Sequence, residues 1–318
     1  MPPRLPVSLS FIALALFLRG DPCACACAEP DAPAPDPIRV MTFNLWIGGE
    51  AGKQPLEQTL QVIRAARADA AGLQETGGEE TNGLRPDNAK RIAALLGWDY
   101  LDQGGGTGIV TRFRIVEGTP RKWGARIEMP SGRQFYLFNV HLNHAPYQPY
   151  QLLGIPYHDG PFIKTEAEAI QFARDARGKQ VEEALEEVRA AIRSGLGVFL
   201  TGDFNEPSHQ DWTEAAARAR TCPLKVLWPS TKAVTGAGLL DAYRAAHPDE
   251  TGDPGVTWTP VTREDDPKDR HDRIGRADVI ARLKFAEGLW ALLRRKEVPE
   301  RVELGVREIL REASAHAL

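Results

Sequence analysis

The chain has 318 residues, enough for one large domain or two small ones, and with 42% hydrophobic and 26% charged residues it can bury a core and is not a disordered chain. Its 39 Lys+Arg against 43 Asp+Glu give a net charge of −4. That excludes a polybasic binder of nucleic acid or anionic membrane, although a local groove can still be basic. The four cysteines are too few for a disulfide-dense scaffold.

Residues 1–28 are expected to be a signal peptide. Arg4 precedes an apolar run over 7–18, which fits a signal core and is short for a membrane span; Ala26-Cys27-Ala28 then offers a small-residue cleavage site. Export to the periplasm or the exterior follows as an expectation. A lipid anchor is disfavoured, because Gly20-Asp21-Pro22 is a poor context before Cys23. Cleavage leaves only Cys222, so no internal disulfide is available. Residues 29–37, rich in Pro and Asp, read as an extended linker.

From residue 38 the pattern alternates between strands and helices. A strand is expected over 38–46, then a helix opened by Pro55 with Leu56, Leu60, Ile63 and Ala66 on one face. A short buried strand over 70–74 ends at Glu75. A helix over 89–96 follows, and after the Gly104-Gly105-Gly106 turn a strand over 109–115. Another strand runs over 135–142. The longest helical pattern spans 165–194, stopped by Gly195, with Gly178 as a candidate break between two helices. A buried strand over 198–201 and a helix over 212–220 come next. Residues 38–284 thus read as one layered domain of alternating strands and helices, and 285–318 as an amphipathic helical tail.

The acids, amides and histidines fall where apolar runs end. Asn44 follows Met41-Thr42-Phe43, Glu75 follows Gly72-Leu73-Gln74, His141 and Asn143 follow Phe138-Asn139-Val140, and Asp203 and Asn205 follow Leu200-Thr201-Gly202. Any one of these could merely cap a strand. Four such ends point to a shared rim, where binding and catalytic groups collect. Asn44 and Glu75 offer oxygen ligands suited to a hard divalent ion, with Mg²⁺ the first expectation and Mn²⁺ or Ca²⁺ the alternatives. Asp203 would orient or deprotonate a water and Asn205 would position a phosphate, the pattern of metal-assisted phosphate ester hydrolysis.

Those segments resemble the endonuclease/exonuclease/phosphatase superfamily. The likeness rests on Thr42-Phe43-Asn44-Leu45-Trp46, Gly72-Leu73-Gln74-Glu75-Thr76, Asn139-Val140-His141-Leu142-Asn143-His144 and Gly202-Asp203-Phe204-Asn205-Glu206, in that order. Gly108-Ile109-Val110-Thr111-Arg112, Leu240-Asp241-Ala242-Tyr243-Arg244, Trp258-Thr259-Pro260 and Asp272-Arg273-Ile274 extend it to about residue 280. The resemblance implies an α/β fold of the α+β type: a four-layer sandwich of two face-to-face, mainly antiparallel sheets flanked by helices. It also implies that Asn44 and Glu75 hold the metal, that His141 contacts the scissile phosphate, and that Asp272 matches the acid orienting a second histidine.

The superfamily's closing Ser-Asp-His motif is not found. Ser314-Ala315-His316 lacks the Asp and lies in a helical pattern. His144 or His271 could supply the missing imidazole, and Arg273 and Asp241 are further candidates near the rim. Gly275 stands where some members carry an Asp, a place that Asp278 fills only with a register shift. The Tyr- and Pro-rich stretch 145–163 reads either as a lid or substrate wall or as a packed loop. The expected function is an exported, metal-dependent phosphoesterase, a monomer without a membrane span. Nucleic acid, a phospholipid head group or a small phosphorylated metabolite are its candidate substrates. The alternative is a catalytically impaired binding or scaffold protein of the same fold.

Overall fold

The computed structural model describes residues 38–255, 257 and 278–283. The signal peptide, linker and tail expected from the sequence lie outside these residues, as do His271, Asp272 and Arg273. No helix among the described residues is long and apolar enough to cross a membrane.

The first half builds a four-stranded sheet. Strand β1 (Val40–Asn44) leads through α1 (Leu56–Ala65) to β2 (Ala70–Gln74), and α2 (Asn88–Leu96) precedes the hairpin of β3 (Asp99–Gly104) and β4 (Thr107–Thr111). Leu56, Leu60 and Ile63 of α1 and Ala89, Ile92 and Ala93 of α2 bury one face against Ala71, Leu73 and Val110 of the sheet. Asp87 caps α2 by accepting from the Ala89 and Lys90 amides, satisfying donors that the helix start leaves open. The order is β1-β2-β4-β3.

The chain then crosses to a second sheet. The single strand expected over 109–115 is two, because Arg112 and Phe113 carry the chain out of β4 and into β5 (Arg114–Gly118). Strands β6 (Gly124–Glu128) and β7 (Gln134–His141) follow. Next come α3 (Gln148–Leu153), α4 (Glu166–Arg193) and β8 (Gly197–Asp203), then α5 (Glu214–Arg218), α6 (Pro229–Gly236), β9 (Leu239–Asp241), α7 (Ala242–Ala246) and β10 (Asp278–Leu283). This sheet has the order β5-β6-β7-β8-β10-β9. Gly178 does not break α4: the helix runs through it, started by a capping box between Thr165 and Glu168.

Two pairings, β1 with β2 and β7 with β8, are parallel, and every other strand pairing among the described residues is antiparallel. Ala70 and Ile109 of one sheet pack on Ile127, Phe135 and Leu137 of the other. Val181, Leu185 and Val188 of α4, with Val234 of α6, cover the outer face of β7 and β8. Helices, sheet, sheet and helices therefore make the four layers that the resemblance implies.

Between the sheets runs a buried polar lacing. Asn139 of β7 donates to the Leu73 carbonyl (3.0 Å) and to Gln103 (2.8 Å), and accepts from Gln74 and Thr201. The sheets approach so closely here that a Cβ on Gly72 would run into Thr201 Oγ1 and Asn139 Oδ1. Only glycine fits at that point.

Candidate active site

Parallel pairing brings strand ends together. Asn44 stands opposite Gln74 in one sheet and His141 opposite Asp203 in the other, so four strands finish at one rim. The next residue after β2, Glu75, takes a left-handed φ of 50°, uncommon for a side chain of its kind. Its carbonyl accepts the Gly48 amide at 2.7 Å, and this turn aims the carboxylate back over the strand ends.

Asn44 joins the two sheets there. Its Nδ2 donates to Glu75 Oε1 and to Asp203 Oδ2, both at 2.9 Å, while its Oδ1 accepts the Trp46 amide at 2.9 Å. His141 Nε2 lies 3.9 Å from Glu75 Oε1. One ligand atom from each of Glu75, His141 and Asp203 can be chosen so that all lie within 4.8 Å of one another. Asp203 is only 2% exposed, and a buried carboxylate calls for strong donors or a cation. Two carboxylates this close repel each other, and with the imidazole beside them they suit a divalent ion of the hard or borderline kind.

Asn205 is also present but is engaged differently from the expectation. Held at φ 45°, it gives its amide N–H to Asp203 Oδ1 and its Nδ2 to the Leu142 carbonyl, both at 2.9 Å. It thereby pins the chain leaving β8 to the chain leaving β7, beside the Leu142 amide that donates to the Asp203 carbonyl (3.0 Å).

Two further candidates stand apart from the cluster. Asp241 is a helix cap: buried, it accepts from the Tyr243 and Arg244 amides and from Ser208 Oγ. Through β10 it lies level with Leu200, three residues short of Asp203. His144 packs among the rings of Tyr157 and His158. Strand β10 brings in a residue that the motif reading had admitted only through a shift: Asp278 pairs directly with Asp203.

Sequence reasoning missed Arg177. It is wholly buried beside an equally buried Glu206 (3.1 Å), and it donates to the carbonyls of Asn143 (3.0 Å) and Pro146 (3.3 Å) and to Gln148. Gln180 accepts the Asn143 amide at 2.9 Å, and Asn143 Nδ2 donates to the Ala176 carbonyl at 2.9 Å. One helix thus grips the chain leaving both site strands of the larger sheet. An arginine within an otherwise amphipathic helical stripe was the available signal.

Residues 41–306 match the Endonuclease/Exonuclease/phosphatase family. The chain belongs to this family. An uncharacterized Caenorhabditis elegans protein is 26% identical over 240 residues, 71% of each chain. Among solved structures, an AP endonuclease from Archaeoglobus fulgidus is similar at 14% identity and a TM-score of 0.44, covering 77% of this chain and 86% of that one. The 3′ phosphatase NExo from Neisseria, bound to a product DNA hairpin, is similar at 15% identity and a TM-score of 0.46, covering 78% and 87%. The Endonuclease/Exonuclease/phosphatase assignment agrees with the ordered motifs that meet at the rim.

Proposed function

We propose that this family member is a divalent-metal-dependent phosphoesterase that cleaves a phosphodiester by in-line attack of water. The observation that carries the reading is the Asn44 amide bridging Glu75 and Asp203, 159 residues apart in chain position between Asn44 and Asp203, with His141 alongside. Glu75, its carboxylate oriented by the Asn44 amide, would hold the ion at the rim, Mg²⁺ being the best match to carboxylate oxygens. Bound there, it would neutralise charge on the phosphoryl oxygens.

The chain's own groups supply the rest. Asp203, oriented by donors to both of its oxygens, accepts a proton from the attacking water. His141 Nε2 donates to a phosphoryl oxygen as negative charge builds on it. Asn205 keeps the two strand ends in register. Export through residues 1–28 belongs to the same reading and predicts a mature chain beginning at Glu29. The impaired-scaffold alternative rests on the missing Ser-Asp-His motif alone.

Hydrolysis of bis(p-nitrophenyl) phosphate by metal-stripped protein, with Mg²⁺, Mn²⁺ or Ca²⁺ returned singly, tests the proposal. Turnover should need the ion and should fall roughly 10²–10⁴-fold in Asp203→Ala, the span general-base groups contribute. A wild-type rate no higher than that of Asp203→Ala with every ion overturns it.

A further inference from the structure

The stretch after His141 assembles a group of polar rings that the proposed chemistry leaves unused. The rings of His144, Tyr157 and His158 meet edge to face: His144 to Tyr157 at 6.3 Å, His144 to His158 at 5.2 Å and Tyr157 to His158 at 4.4 Å between centroids. Tyr157 rests in turn on Tyr150 (5.5 Å), which is 7% exposed.

This is a built wall and not a free flap. Gln151 Nε2 donates to the Pro161 carbonyl (2.8 Å), the Ile155 amide to the Tyr150 carbonyl (2.9 Å), and the Ile163 amide to the Gln151 carbonyl (3.2 Å). Arg177 fixes the near end at Asn143 and Pro146. At the tip His158 is held at a left-handed φ of 52°, a conformation that persists in a side-chain-bearing residue only when its surroundings impose it.

The wall begins at His144, three residues beyond His141 at the end of β7. Burial, together with the charge of Glu75, pushes the Tyr157 phenol above its ordinary pKa. Among the described residues none hydrogen-bonds to the Tyr157 hydroxyl or to the ring nitrogens of His144 and His158. Packed π faces with uncommitted donors at their edges, beside a phosphate-type centre, match a planar ring that carries its own acceptors.

Resting on the phosphoesterase reading, we propose that Tyr157 and His158, backed by His144, form a subsite for an aryl or heteroaryl group esterified to the substrate phosphate. An alkyl arm would leave these faces and donors without a partner.

Calorimetric binding of diphenyl phosphate and dimethyl phosphate in Mg²⁺ tests this without requiring turnover. The wild-type protein should prefer the diphenyl ester by about tenfold, as ring stacking of ordinary strength gives. Tyr157→Ala/His158→Ala should erase the preference, and Tyr157→Phe should keep most of it. Should the double variant not fold, His158→Ala, altered at an exposed side chain, should alone lower the preference at least threefold. Equal or absent binding of the two esters by the wild type, or a preference unchanged in folded variants, overturns the subsite. Selective binding without hydrolysis would instead overturn the phosphoesterase reading and leave the subsite standing.

Discussion

Asn44 shows how much one amide can organise. With both carboxylates accepting from its single nitrogen, it offsets a repulsion that otherwise would open the rim, and hydrogen bonds to charged acceptors are worth about 1.5–3 kcal/mol each. On the proposed reading Glu75 serves ligation more than folding, since its side chain is 35% exposed. Glu75→Gln should therefore weaken Mg²⁺ binding at least about tenfold, read by calorimetry, while the urea midpoint in EDTA stays within error of wild type. His209 supplies a separate, pH-linked expectation. Burial holds its imidazole below the usual value, with Lys232 pulling the same way and Asp241 opposing, and its ring nitrogen meets Thr231 Oγ1 at 3.0 Å. Above the unfolded pKa of about 6.5 the ring is neutral in both states and costs nothing. Below it the unfolded chain takes the proton first, so stability falls with pH until the folded pKa is passed. Denaturation series from pH 7.5 to 5.5 should fall less steeply for His209→Gln than for wild type.

At the scale of elements, α4 is both cover and clamp. Its apolar side covers the larger sheet, and Arg177 spends its guanidinium on the loop after β7 and on Glu206 after β8. Burial pushes the Glu206 carboxyl up, against the pull of Arg177 and of the Ser230 amide and hydroxyl. Arg177→Met would strand that carboxylate, and breaking a buried pair costs about 3–5 kcal/mol. Denaturant unfolding should show a loss of that size, with Arg177→Met/Glu206→Gln regaining part of it. The helix itself was legible from its stripe and its Gly195 stop. The expected break at Gly178 was not real, because one glycine costs only about 1 kcal/mol against a long helix packed on a sheet. Strands β3 and β6 escaped notice because Asp99, Asp102, Gln103 and Arg126 hide their alternation, and β4 merged with β5 because apolar residues continue across the change of sheet.

For the whole molecule, the sequence was most informative where chemistry is written at strand ends. Asn44, Glu75, His141 and Asp203 could be picked out one by one, and the family motifs placed them together. What periodicity could not express was partnership across layers: the Asn139 lacing, the reach of Arg177, and the pairing of Asp278 with Asp203 depend on contacts between residues remote in sequence. Cys222 marks the other limit. Buried, with its thiol pushed up to about 11, it should resist a disulfide reagent at pH 8 in the native protein and react fully once unfolded.

The rim draws half its groups from each sheet, Asn44 and Glu75 from one and His141 and Asp203 from the other. On the proposed reading, an ion seated among them would be a rivet as well as a reagent. Whatever loosens the seam between the two sheets would widen the gap such an ion must span, so occupancy and mechanical cohesion of the sandwich should rise and fall together.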